Sequence, residues 1–334
     1  MTGRSPLIAV YIVTFRRHQM LRRAIASVAA QTHAKMVVKV VNDDPADEMV
    51  AEIVREFGDN RISLFSPIEK CGPTRNFNLV FEERDADYVS LLEDDNWWEP
   101  SFLEEQLRVL KKHPDAPLVV GNQRIWQELP DGSWLDTSQT IWPVSSLQVH
   151  NLSVEEICGS ARICNSSMLI RVERACELLI PDTIPVDVTE HFRERLLAPD
   201  LPINGSPLVN FAVTLQTVRK KDETWGAYQC LLIGSVFAAA SRGGATQRLA
   251  SRLWKDCGSN TSPRAVSLVA TGVVFREARA LLREAPVWAL VRFGIWLTRR
   301  PVRLPKLLSI RRRFVDELVF LVTAPLTRHF AESV

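Results

Sequence analysis

The residues best suited to chemistry stand in short polar stretches that each follow an apolar run. Glu93-Asp94-Asp95 follows Tyr88-Val89-Ser90-Leu91-Leu92, Asp43-Asp44 follows Val37 to Val41, and Thr14-Phe15-Arg16-Arg17 follows Leu7 to Val13. Three adjacent carboxylates repel one another, so a cation should compensate them. A divalent metal carrying a diphosphate is the economical choice, because hard cations take carboxylate and phosphate oxygens together. A fourth stretch, Cys71-Gly72-Pro73-Thr74-Arg75-Asn76, opens a helix with a cation in its first turn. That placement opposes the helix macrodipole, and a guanidinium beside free backbone N–H groups makes an anion site. Plainer readings stand beside these: an acidic turn capping the helix that starts near Pro100, and a solvated surface arginine.

The elements that must position these groups alternate between strand and helix. Leu7 to Val13 is a continuous apolar run, as a parallel strand covered on both faces requires. The next helix puts Leu21, Ile25 and Val28 on one face and ends near Gln31-Thr32. After the second strand, Asp47 suits the N-cap of a helix striped by Val50, Ile53, Val54 and Phe57, with Gly58 at its end. Ile62 to Phe65 is a third strand, Tyr88 to Leu92 a fourth and Leu118 to Gly121 a further one, with Pro100 to His113 the clearest helix. Repeated β-α units predict a mainly parallel sheet with helices on both faces. The three polar stretches then share one sheet edge, where ligands of open α/β sheets bind.

The rhythm changes after Asn122. Pro130-Asp131-Gly132 signals a hairpin turn between Trp126 and Trp134, Asn165 to Ile170 a strand, and Arg171 to Leu179 a helix. Trp126, Trp134 and Trp142 suit either an acceptor platform or core packing. Past Trp225 the chain reads as helical, with breaks at Gly243-Gly244, Gly258, Pro263 and Pro301. We therefore expect a nucleotide-binding, catalytic domain over 1–220 and a helical, basic region over 221–334.

Composition narrows the classes. The 334 residues are 46% hydrophobic and 24% charged, with a formal net charge of +2, which is ordinary for a globular protein and gives no signature of nucleic-acid binding. No GxGxxG follows a strand and no GxxxxGK[ST] occurs, which argues against dinucleotide dehydrogenases and P-loop enzymes. The six cysteines form no CxxC pair and read as reduced thiols of a cytoplasmic protein. The charge-free segment Trp225 to Ser241 falls short of the roughly 18 apolar residues of a spanning helix. Arginines crowd the C-terminal region, at Arg279, Arg283, Arg292, Arg299, Arg300, Arg303, Arg311, Arg312, Arg313 and Arg328, beside apolar helical runs. Peripheral contact with the inner face of a membrane, a helical cap, or a dimer face all fit that pattern.

A nucleotide diphosphate satisfies the four polar stretches at once: Asp43 can accept from a base-ring N–H, Arg75 can pair with phosphate, and Asp94 and Asp95 can serve ribose and metal. At this point the chain resembles family 2 glycosyltransferases of the GT-A fold, which are inverting and use nucleotide-sugars. The resemblance is carried by Val13-Thr14-Phe15-Arg16-Arg17 with Leu21 and Ala24 to Thr32, by Val40-Val41-Asn42-Asp43-Asp44-Pro45-Ala46-Asp47, by Gly72-Pro73-Thr74-Arg75-Asn76 and by Leu92 to Pro100. It covers residues 1–125 and fades beyond. The resemblance implies that Thr14, Phe15, Arg17 and Asp43 hold the nucleobase end of a donor, most often a UDP-sugar, and that Arg75 meets base or diphosphate. The family's DxD-type motif falls on Glu93-Asp94-Asp95, with Asp94 on the ribose and Asp95, or Glu93, on Mn²⁺ or Mg²⁺. Glu93 and Asn96 depart from the usual pattern of that motif.

The resemblance further implies a single displacement at the anomeric carbon, with a downstream carboxylate as base toward a glycan, lipid-linked or small-molecule acceptor, as in polysaccharide biosynthesis. Glu190 is the matching base, with Asp187 in reserve and His191 where the family more often has Asp. Asp187-x-x-Glu190 is also a capping-box pattern, which needs no catalysis. Two other classes compete: a glycosyltransferase-like module that binds nucleotide without turnover, and a phospho-receiver domain built on Asp43-Asp44. The latter needs a lysine at a later strand end, and the Leu118 to Arg124 region has none.

Overall fold

The structure is a computed structural model and describes residues 4–67, 70–144, 148–151, 163–197, 200–215, 223–241, 244–258, 264–299 and 302–323. Expectations at Cys158, Gly243, Pro263, Arg300, Pro301 and Arg328 lie outside the described residues. The chain forms two compact units: Met1–Leu152 with Ala161–Val186 and Asp200–Val218, and Ser153–Ser160 with Asp187–Pro199 and Arg219–Val334.

In the first unit β1 (Ile8–Thr14), α1 (His18–Ala29), β2 (Met36–Asn42), α2 (Met49–Phe57) and β3 (Ile62–Phe65) alternate. Then come α3 (Pro73–Phe81), β4 (Tyr88–Glu93), the two-residue β5 (Trp97–Trp98) and α4 (Phe102–Lys112). Every residue of β1 is buried, which is why its sequence is an unbroken apolar run. Strands β3, β2, β1 and β4 lie side by side in that order and pair in parallel. The order reverses beside β1, so the carboxyl ends of β1 and β4 flank a topological switch point, where the crevice of such a sheet opens. Thr14 pairs with Asn42, and Val13 with Glu93. The register therefore brings Thr14, Asp43 and Asp94 to one edge within a residue of each other.

Alternation within β1 sorts the two faces. Ile8, Val10 and Ile12 join Leu21, Ile25 and Val28 of α1, Val50 and Ile53 of α2, and Leu103, Leu107 and Leu110 of α4 in one core. Tyr11 points the other way, and its hydroxyl donates to Glu83 Oε2, just past the end of α3, at 2.7 Å. Helices thus cover both faces, as expected.

Beyond β4 the sheet is more mixed than the sequence predicts. β6 (Leu118–Glu128) is longer than expected and hairpins onto β7 (Trp134–Thr140), and β8 spans Gln148–Asn151. β9 (Met168–Arg171) runs antiparallel between β4 and β6, while β10 (Asp200–Val213) is parallel to β6 and antiparallel to β5 and β8. The helix expected over Arg171 to Leu179 shrinks to α5 (Val172–Ala175) and one 3₁₀ turn. Asp47 does not cap α2: Glu48 holds that position with no side-chain cap, and Asp47 Oδ2 lies 2.8 Å from His18 Nε2. The acid motif likewise passes through β5 before α4 begins.

The second unit is helical. It contains α6 (Thr189–Glu194), α7 (Glu223–Ser241), α8 (Thr246–Cys257), α9 (Arg264–Val274), α10 (Ala280–Arg283), α11 (Val287–Thr298) and α12 (Arg303–Thr323). Among the described residues no helix is long and apolar enough to cross a membrane. Five free cysteines are described; Cys164, Cys230 and Cys257 are buried and Cys71 and Cys176 are exposed.

Candidate functional site

The ends of β1, β2 and β4 each deliver polar groups to the crevice. Past β1 the chain turns through Arg16, which adopts a left-handed φ of 57°; side chains with a Cβ rarely adopt this conformation, and it concentrates at functional loops. The Arg16 guanidinium bonds Asp44 Oδ2 at 2.5 Å, and that contact holds the Asp44 carboxyl below its usual range. Thr14 is buried, and its hydroxyl donates to Asp94 Oδ2 at 2.8 Å, with the Phe15 N–H 3.4 Å from the same oxygen.

Asp43 is buried, and its backbone N–H donates to the Thr14 carbonyl at 3.0 Å. Asn76 Nδ2 donates to Asp43 Oδ1 at 2.5 Å, and the Gly72 N–H also donates to this carboxylate. Gly72 sits at the N-cap of α3 with φ 88°, a region that glycine reaches without strain. Burial raises the Asp43 pKa, against the pull of Lys70, Gly72 and Asn76. The Lys70 ammonium lies 4.3 Å from the ring centroid of Phe15, which is exposed at the crevice rim.

Arg75 is engaged elsewhere. Its guanidinium makes a two-pronged pair with Glu82, at 2.5 and 3.0 Å, so the neighbouring side chain, Asn76, is the one that reaches Asp43. Nothing in the sequence favoured Asn76 over Arg75. The choice follows from about 100° of rotation per residue in the first helical turn.

The acid motif splits into three environments. Glu93 Oε2 accepts from Ser166 Oγ at 3.1 Å, from Asn96 Nδ2 at 3.3 Å and from Cys164 Sγ at 3.4 Å. Asp94 is buried, and burial and then the Asp95 charge push its carboxyl up to about 6 against the pull of Arg17 and Thr14. Burial also raises Asp95, with Arg17 and Arg23 opposing. A single nitrogen, Arg17 Nη1, lies 3.2 Å from Asp94 Oδ1 and 2.8 Å from Asp95 Oδ2. One cation thus reaches both carboxylates, and two hard oxygen donors from adjacent residues suit Mg²⁺ or Mn²⁺. Burial alone would lower the Arg17 pKa, but Asp94 and Asp95 outweigh it and hold it above the ordinary value.

The turn after the motif is fixed from behind. Asn96 Oδ1 accepts from the Ala212 N–H at 2.9 Å, and Trp98 Nε1 donates to the Ser166 carbonyl at 2.7 Å. Arg23 Nη2 donates to the Asp95 carbonyl at 2.7 Å, and its guanidinium lies in the corner formed by the nearly perpendicular rings of Trp97 and Trp134. Trp97 also meets Trp126, with centroids 5.3 Å apart. Trp142 is buried, and Trp126 Nε1 donates to Asn210 Oδ1 at 2.7 Å. Trp142 is thereby taken up in packing, whereas Trp126 and Trp134 are half-buried and Trp134 faces a cleft. A cleft of about 430 Å³ adjoins the motif and is lined by Arg16, Arg17, His18, Arg23 and Trp134, among others.

Asp187, Glu190 and His191 belong to the second unit. Asp187 is exposed, and Glu190 and His191 are half-buried in the first turn of α6. The N-cap of α6 falls on Val188, which makes no side-chain cap.

Residues 9–171 match the family model described as glycosyl transferase family 2. The chain is 24% identical over 193 residues to an uncharacterised protein of Mycobacterium bovis, covering 57% of this chain and 54% of that one. It is 28% identical over 116 residues to an uncharacterised glycosyltransferase of Rickettsia typhi, covering 35% and 36%. The chain thus spans about half the length of the first of these relatives. Among solved structures it resembles residues 1–349 of S. aureus TarS in complex with UDP, with a TM-score of 0.57 at 12% identity, covering 94% of this chain and 90% of that one. The same TarS fragment in complex with UDP-GlcNAc aligns with a TM-score of 0.55 at 13% identity. The fold is GT-A-like, with a helical C-terminal region, and the chain carries a family 2 glycosyltransferase domain.

Proposed function

We propose that the protein is an inverting, divalent-metal-dependent glycosyltransferase that moves a sugar from a nucleotide-sugar, a UDP-sugar in particular, to an acceptor hydroxyl. The observation that carries this reading is the convergence of Thr14, Asp43, Asp94 and Asp95 on the crevice at the switch point, within a family 2 domain. TarS, whose fold this chain shares, was crystallised with UDP and with UDP-GlcNAc.

In this reading the buried Asp43 accepts from the ring N–H of the base while Asn76 and Gly72 hold it in place. The Thr14-Phe15 backbone and the Phe15 ring flank the base, and Lys70 and Arg75 stand near the rim. Asp94, anchored by Thr14, serves the ribose. Asp95 would hold Mn²⁺ or Mg²⁺, with Glu93 behind it; three donors already engage Glu93, which supports Asp95 as the principal ligand. When bound, the metal neutralises charge developing on the leaving diphosphate. Glu190 would take the proton of the acceptor hydroxyl as the sugar is attacked from the opposite side. His191 adjoins it, and Asp187 is the reserve base.

Calorimetry with UDP, GDP and dTDP, with and without Mn²⁺, tests the donor, and metal-dependent hydrolysis of UDP-sugars tests turnover. Nucleotide binding without any hydrolysis would favour the non-catalytic module.

A peripheral membrane site for the C-terminal helices is part of the proposal. Val287, Leu290, Val291 and Ile295 of α11 are exposed, and so are Arg311, Arg312 and Arg313 of α12. Apolar and basic surface together suit an anionic bilayer. Co-sedimentation with anionic vesicles that weakens at high salt supports it; unchanged co-sedimentation argues against it.

A further inference from the structure

We propose that Arg17 is the resident counter-ion of the Asp94–Asp95 pair, and that a divalent cation enters only as the guanidinium leaves to meet the diphosphate of the donor. The inference rests on the donor reading above.

The geometry makes Arg17 and a metal competitors for the same lone pairs. Asp94 Oδ2 is already taken by Thr14 Oγ1 at 2.8 Å and approached by the Phe15 N–H at 3.4 Å. Oδ1 is the oxygen left for the ribose, and Arg17 Nη1 lies 3.2 Å from it, so the donor also needs Arg17 to move. At Asp95 the backbone carbonyl is held by Arg23, while Oδ2 faces the same Arg17 nitrogen at 2.8 Å. Nη1 therefore occupies the cation position against Asp95 Oδ2 while it also neutralises Asp94. Neither charge can be withdrawn cheaply, because Asp94 is buried and an unpaired charge there is costly.

Arg17 is also placed to move. It stands at the N-cap of α1, outside the helix proper, and makes no side-chain cap. Its side chain is 32% exposed and lines the cleft of about 430 Å³. A guanidinium swinging into that cleft needs no rearrangement of the sheet. A diphosphate arriving with the metal offers Arg17 two new anionic partners in fork geometry. Metal and nucleotide should then bind with positive coupling, each favouring the state in which Arg17 has left the acid pair.

The test is a Mn²⁺ titration of the full chain by calorimetry, alone and in the presence of UDP, for the wild type, R17Q and R17K. The wild type is expected to bind Mn²⁺ weakly alone and about tenfold or more tightly with UDP. R17Q should bind Mn²⁺ alone about tenfold more tightly than the wild type, gain less from UDP, and regain melting temperature when Mn²⁺ is added. R17K, which keeps a cation, should behave like the wild type. If folded R17Q binds Mn²⁺ no more tightly than the wild type, the exchange is wrong. Should R17Q fail to fold, the wild-type Arg17 Nε–H resonance, assigned by its loss in R17K, decides the matter. It should shift when Mg²⁺ and UDP are added together, and an unmoved resonance overturns the proposal. Absence of UDP binding under every condition removes the donor reading itself, whereas retained UDP binding with an immobile Arg17 removes only the exchange.

Discussion

The guanidinium of Arg23 lies 3.7 Å from the ring centroid of Trp97. Trp134 lies 4.2 Å away on an adjacent side, its ring at 75° to that of Trp97 with centroids 5.9 Å apart, and Nη2 donates to the Asp95 carbonyl at 2.7 Å. One side chain of α1 thereby joins the hairpin of β6 and β7 to the turn of the acid motif. Burial lowers its pKa to about 10, although Asp95, Glu128 and Asp94 oppose the shift.

The contact between Arg23 and these tryptophans should be measurable as coupling. A cation–π contact is worth about 0.5–2 kcal/mol, more when desolvated. In a double-mutant cycle, R23A and W134A should show about 1 kcal/mol of interaction in urea unfolding. R23K, which keeps the charge but loses the planar face, should recover less than half of it. Additive effects within error would mean that the stacking carries no energy.

Asp43 and Asn76 make a second test. Asn76 is buried, and its amide supplies a short hydrogen bond to a carboxylate that burial already disfavours. N76A leaves that charge less well satisfied and should cost about 1–3 kcal/mol of stability. UDP affinity should fall along with it, since the carboxylate is no longer aimed. R75A, by contrast, breaks only a partly exposed pair with Glu82, worth about 0–1 kcal/mol. Calorimetry that ranked R75A as the more damaging to UDP binding would return the anion role to Arg75.

The comparison between Arg75 and Asn76 shows what the sequence could and could not reveal. Strand ends, the parallel half-sheet and the convergence of Thr14, Asp43 and Asp94 were legible, because an unbroken apolar run followed by carboxylates has few other solutions in a β-α chain. The antiparallel half was not. β10 contains Pro202, Asn204, Gly205 and Pro207, which read as breakers, and the chain accommodates them as register shifts between Asn204 and Val209. Trp97-Trp98 paired as a strand only because Val209 and Asn210 lie beside it, a contact more than 100 residues distant in sequence. Arg23 carries no signal of its own in the sequence, because its partial burial depends on a hairpin tryptophan. Local pattern sets the elements, whereas which of two neighbouring side chains enters a site is decided by packing from elsewhere.

Acid stability should report the face of the sheet to which Tyr11 points. The Glu83 side chain is 3% exposed. Burial would raise its pKa, but hydrogen bonds from Lys39 and Tyr11 more than reverse that and lower it from 4.5 to about 2. A carboxylate depressed in the folded state binds fewer protons there than in the unfolded chain. Its contribution is therefore fully present above about pH 4.5 and lost as pH falls toward 2. The size is roughly 3 kcal/mol. E83Q should flatten the decline of unfolding free energy across that window, and an unchanged slope would assign the decline to other carboxylates. Lys39 should behave as the partner, with K39M reproducing part of the effect.

The base is tested by separating binding from turnover. Glu190 stands in the first turn of α6 and Asp187 precedes that helix, with Val188 at the cap. If Glu190 takes the proton of the acceptor, E190Q removes the proton acceptor while preserving size and polarity. General base catalysis contributes about 10²–10⁴-fold, so turnover should fall within that range while UDP affinity stays within about twofold of wild type. D187N should change turnover by less than about fivefold on the same scale, as befits a reserve. Transfer at near wild-type rate in E190Q, with D187N severely impaired, would move the base to Asp187. Loss of UDP binding in E190Q would instead make Glu190 part of the donor site, because a residue acting only on the acceptor proton has no reason to alter nucleotide affinity.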